Sequence, residues 1–120
     1  MRKIVFAMLL LAAAVALAQR PWPPPGMQCP ERTIVMYDIV QEKAPLIEKF
    51  YDEHLANLAQ LMKSGKILSA GPTEDDRGIL IVNGTNWAEI EAMLKKEPFT
   101  REGIMKMTSH TVWRACETAK

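Results

Sequence analysis

Thr33–Val40 reads TIVMYDIV, and Gly78–Gly84 reads GILIVNG. Both are rich in β-branched and aromatic residues and have the length of a strand. In the first, Val35, Tyr37 and Ile39 fall on one alternating face, and Ile34, Met36 and Val40 on the other. A strand that is apolar on both sides has to be covered on both sides. Asp38 interrupts the second face near the strand end.

Residues 44–66 predict a helix between these strands. Pro45 suits its first turn. Ile47, Phe50, Tyr51, His54, Leu58, Leu61 and Met62 recur at three- and four-residue steps and form one stripe. Gly65 ends it, with Lys63 and Lys66 near the carbonyl end. Residues 67–70 read as a short strand, followed by Gly71-Pro72 and the acidic turn TEDDRG. Residues 86–96 predict a second helix: Asn86 caps it, Glu89 completes a capping box, and Trp87, Ile90, Met93 and Leu94 form its inner stripe. Pro98 closes it. Residues 105–116 read as a last strand, with Met105, Met107, Ser109, Thr111, Trp113 and Ala115 alternating against Lys106, Thr108, His110, Val112, Arg114 and Cys116.

The order β-α-β-β-α-β predicts an α+β domain with a ferredoxin-like split arrangement, a four-stranded antiparallel sheet with two helices on one face. The first and third strands then lie in the middle, and they are the two that read apolar on both sides. Helices cover one face only. A second copy of the sheet covers the other most economically, so a homodimer with facing sheets, a dimeric α/β barrel, is expected.

Upstream, Arg2 and Lys3 precede an uninterrupted apolar run, Ile4–Leu17, and Ala16-Leu17-Ala18 offers small residues to a signal peptidase. The run is short for a bilayer span of ~20 residues. Residues 1–18 therefore read as a secretory signal peptide, residues 19–31 as a proline-rich linker (QRPWPPPGM at its start) and residues 32–120 as the folded domain. A periplasmic or secreted protein with no membrane attachment after cleavage is expected. The 15 basic and 14 acidic side chains give a net charge of +1, which leaves no cationic excess for nucleic acid.

An even cysteine count in an exported chain points to a bridge. Cys29 precedes the first strand and Cys116 ends the last, and those strands are neighbours in the predicted sheet. A Cys29–Cys116 disulfide is expected, against the alternative of two independent thiols. Neither cysteine belongs to a CxxC, and no His/Cys cluster has metal-ligand spacing. No phosphate-binding glycine loop, serine-nucleophile motif or dinucleotide fingerprint is present, so no cofactor is expected. Asp75 and Asp76 read as a solvated turn with too few ligands for a metal. The methionines read as adaptable packing.

His54 stands out on the apolar stripe. By position alone it is either a satisfied helix-edge histidine or a proton carrier suited to neutral pH. His110, on the polar-rich face of the last strand, reads as a surface or barrel-lining group. Tyr37 and Asp38 are candidates to line a cleft, and Ser69, Gly71 and Pro72 to shape a pocket floor; ordinary strand-end and turn chemistry is the other reading of each.

His54-Leu55-Ala56, then Gly65-Lys66-Ile67-Leu68-Ser69-Ala70-Gly71-Pro72, then the glycine-bearing apolar strand and the triplet Glu97-Pro98-Phe99 followed by Gly103 resemble the YCII-related (YciI-like) family over residues 34–113. The resemblance implies the ferredoxin-like fold and the dimeric barrel. It also implies a catalytic pair of a helix histidine, here His54, and an acid in the triplet. The family has aspartate where this chain has Glu97, which keeps the charge and adds a methylene. Related barrels imply proton abstraction, elimination or isomerisation on a small apolar or cyclic compound. A non-catalytic dimeric module that holds a small ligand is the alternative.

Overall fold

The computed structural model describes residues 22–118. The expected signal peptide, and the first residues of the expected linker, lie outside them. The described elements are β1 (Met27–Gln28), β2 (Glu31–Ile39), a 3-10 turn (Gln41–Leu46), α1 (Ile47–Lys63), β3 (Ile67–Pro72), β4 (Arg77–Asn83), α2 (Trp87–Lys95), α3 (Pro98–Arg101), β5 (Met105–Arg114) and β6 (Glu117–Thr118).

Two units are distinct. In the smaller, β1 pairs antiparallel with β6, Met27 opposite Thr118, and Cys29 is disulfide-bonded to Cys116. The larger spans Pro30–Ala115. Its sheet has the order β3-β4-β2-β5, with every pairing antiparallel. The two doubly apolar strands, β2 and β4, are the central ones, as their patterning requires.

One sheet face carries the core. Val35 and Tyr37 of β2, Ile67 of β3, and Leu80 and Val82 of β4 pack with Ile90 and Leu94 of α2. Leu58 and Leu61 of α1 cover them in part. The opposite face presents Ile34 and Met36, which lie opposite Ile81 and Ile79. All four are half-buried.

Helix α1 starts later than expected. Pro45 lies inside the preceding 3-10 turn rather than in the first turn of α1. A proline supplies no N–H, and the tighter turn tolerates that loss before the regular helix begins. The helix ends where its chemistry demands. Gly65 takes a left-handed φ of 77° and its N–H donates to the Met62 carbonyl, while the Lys66 N–H reaches back to Leu61. These two bonds are the Schellman pattern, which favours glycine at that position. At α2, Asn86 Oδ1 accepts from the Glu89 N–H as its sequence pattern predicts.

The simple alternation read along the last strand is corrected by a β-bulge. Ser109 pairs with Met36 and Met107 with Tyr37, so Thr108 is left over. An extra residue moves everything beyond it to the other face. Met105 and Met107 therefore share the core face with His110 and Val112, while Ser109, Thr111 and Trp113 join the open face. His110 stacks on Trp87 of α2, ring centroids 3.5 Å apart and planes within 3°. The sequence placed it with the wrong neighbours because period-two counting has no signal for a bulge.

Candidate active site

The site is assembled from α1 and the residues that follow α2. Pro98 stands at the first position of α3 and makes Glu97 its N-cap, with an extended backbone. One Glu97 oxygen, Oε2, accepts from the Thr100 N–H at 3.0 Å and from the Thr100 hydroxyl at 3.3 Å. The other, Oε1, accepts from His54 Nδ1. The carboxylate is thus divided between a helix cap and an imidazole, and the added methylene of glutamate does not keep it from His54.

Glu97 is 2% exposed, and the His54 side chain 13%. Burial pushes the Glu97 carboxyl upward. The hydrogen bond and charge of His54, with the N–H groups of Thr100 and Phe99, outweigh this and hold it below its ordinary 4.5. An ionised carboxylate only accepts, so Nδ1 carries the hydrogen. Nε2 is then the ring nitrogen left to exchange protons.

Phe99, buried at 5% exposure, stacks flat against the His54 ring, 3.8 Å between centroids with planes within 1°. Glu97 holds the imidazole by its edge and Phe99 blocks one of its faces. Arg101 adds a link between the same two helices, its guanidinium donating to both Glu53 oxygens at 3.0 and 3.3 Å. That pair is exposed and contributes little energy. Asn57 Oδ1, one turn beyond His54, is buried without a partner among the described residues.

The other residues singled out in the sequence scatter. Tyr37 is 2% exposed on the core face, where burial pushes its phenol up to about 12; the Thr100 hydrogen bond opposes that shift and the Glu97 charge adds to it. It is buried in the core rather than open to a cleft. Asp38 is exposed on the opposite face, between Arg77 and Lys106 in register. Ser69 and Gly71 lie opposite Ile81 and Ile79, also on the open face. Pro72 is exposed at the end of β3. A second bulge, at Leu68, sets this arrangement. Tyr37 and Asp38 therefore cannot line one pocket, because neighbouring strand residues face opposite sides. Asp75 caps its own turn, accepting from Thr73 and Arg77.

Thr100 was missed. The signal was present: a proline one residue after an acid marks a helix start, and the third residue beyond the cap donates to it. His54 and Glu97 are 43 residues apart and nothing local says that they meet.

A depressed carboxyl stabilises the fold above its unfolded-state value, and that contribution is lost as pH falls through the folded-state value. Wild type should therefore lose stability below about pH 4.5, where Glu97→Gln should show a flatter acid limb. Urea unfolding of both proteins across that range checks this. Parallel acid limbs would mean that Glu97 is not ionised in the fold.

A model of the YCII-related domain matches residues 33–114. Comparison with curated proteins finds no match. Among solved structures the chain is similar to 5-chloro-2-hydroxyhydroquinone dehydrochlorinase (TftG) from Burkholderia phenoliruptrix AC1100, in complex with 2,5-dihydroxybenzoquinone. The identity is 25% and the TM-score 0.51, over 68% of this chain and 91% of that one.

Proposed function

The chain belongs to the YCII-related domain family, and from that premise we propose that it is an acid–base enzyme acting on a small cyclic compound. His54 is the proton acceptor and donor, and Glu97 orients it. The observation that carries this reading is the buried Glu97 carboxylate, engaged with Nδ1 and capped by Thr100. Such a partner fixes the tautomer and stabilises the imidazolium, so that Nε2 takes a proton from a substrate and returns it in a later step. The flat Phe99 ring restricts approach to the histidine edge.

The similar dehydrochlorinase was solved with a hydroxylated quinone. Hydroxylated six-membered rings, with or without a halogen to expel, are the first compounds to test. Transfer of a hydroxyl proton through His54 to the ring carbon that bears the halide, then loss of a second hydroxyl proton with the halide, gives a quinone and hydrogen halide. Without a halogen the proton transfer alone moves a double bond, and neither route needs an external oxidant. The experiment is a turnover assay with chlorinated and unchlorinated hydroxyquinols, alongside NMR of the His54 ring. Turnover with a perturbed His54 signal supports the reading. Binding without turnover makes the protein a ligand-holding module, and neither result with any ring compound ends the proposal.

The working unit is a homodimer. Ile34, Met36, Ile79 and Ile81 on the open sheet face, with Trp113 exposed beside them, support burial against a second copy. Sedimentation equilibrium at micromolar concentration should give twice the chain mass; a monomer would contradict it. The disulfide supports export, and no helix among the described residues is long and apolar enough to cross a membrane. N-terminal sequencing of protein recovered outside the cytoplasm should begin at Gln19.

A further inference from the structure

The Glu97 carboxylate has two oxygens and two tasks, and Thr100 takes one of them entirely. Both Thr100 donors, N–H and hydroxyl, converge on Oε2 at 3.0 and 3.3 Å. This leaves Oε1 to His54 alone. The N–H bond is what any N-cap provides. The hydroxyl bond is not required for capping, and a helix of four residues gains little from it.

We propose that the Thr100 hydroxyl is a positioning group: by holding Oε2 it prevents the longer glutamate side chain from rotating and keeps Oε1 on His54 Nδ1. This rests on the acid–base reading of the His54–Glu97 pair and deepens it.

Three further observations fit. A glutamate side chain has three rotatable bonds, so an unrestrained carboxylate would lose side-chain entropy on meeting the imidazole. Thr100 is half-buried and lies close enough to both Glu97 and the buried Tyr37 to act on each. The Tyr37 phenol, pushed up to about 12, stays neutral near pH 7 and places no competing charge beside Glu97. The groups facing Glu97 are then His54 from α1, Tyr37 from β2 and Thr100 from its own helix, with the exposed Arg101–Glu53 pair outside them.

The test compares wild type with Thr100→Val, Thr100→Ala and Thr100→Ser. Carbon-detected NMR follows the Glu97 carboxyl titration, and nitrogen NMR follows the His54 tautomer. Removing a donor to the charged form favours the neutral form. Thr100→Val and Thr100→Ala should therefore raise the Glu97 midpoint by about one pH unit. They should also reduce the fraction of His54 protonated at Nδ1 in the neutral ring. Thr100→Ser should restore both. Should the valine variant fail to fold, the alanine variant gives the same reading. Unchanged Glu97 and His54 titrations in both variants, with stability alone reduced, would overturn the positioning role. If the titrations shift as expected while His54→Gln leaves turnover intact, it is the acid–base reading that fails and the positioning that stands.

Discussion

His54→Gln is expected to lower turnover by about 10²–10⁴-fold, the usual contribution of a positioned acid–base group, with the fold retained. Glutamine is chosen because its amide can still donate to Glu97 Oε1. His54→Ala would leave a buried carboxylate with one oxygen unpaired, and the resulting instability would blur the kinetic reading. Glu97→Gln should be as damaging for a different reason. The Thr100 N–H and hydroxyl both require an acceptor at the Oε2 position. The new amide must keep its oxygen there and turn its N–H toward Nδ1. That forces the ring into the tautomer with hydrogen on Nε2, which can no longer accept a proton. Steady-state kinetics with circular dichroism of each variant check both statements. Full turnover in His54→Gln would remove the histidine from the mechanism.

Opening the Cys29–Cys116 bridge, by Cys29→Ser with Cys116→Ser, is expected to cost on the order of 4 kcal/mol, less any strain the bond carries. The two cysteines are 87 residues apart in sequence, so the bond restricts nearly the whole unfolded domain. A domain of about 100 residues is marginal on its core alone, and a loss of this size should be plain in guanidinium unfolding. The His54–Glu97 pair lies in the other unit, and the Glu97 titration should not move. A change below about 1 kcal/mol would mean that the unfolded chain is restricted by something other than the bond.

Much of this architecture was readable from residue pattern. The Schellman glycine at Gly65, the Asn86 cap and the doubly apolar β2 and β4 each follow from local rules, and the structure carries all three. The disulfide was legible because the first and last strands of the predicted order are neighbours, with one cysteine before the first and the other after the last. The bulges at Thr108 and Leu68 were not legible. An extra strand residue is selected by what packs on either side, and the chain text carries no mark of it. Tyr37 and Asp38, adjacent in sequence and both candidates for a cleft or for plain strand-end chemistry, are sent to opposite faces by the pleat.

The sequence by itself determined the order of the main elements, the two central strands and the C-terminal ends of both long helices. These depend on neighbours three or four residues away, or on alternation within a strand. Only the tertiary structure decided that Glu97 shares its oxygens between Thr100 and His54, that Phe99 lies flat on the imidazole and that His110 meets Trp87. Each of these is a contact between elements, and its geometry is set by packing that no single segment contains.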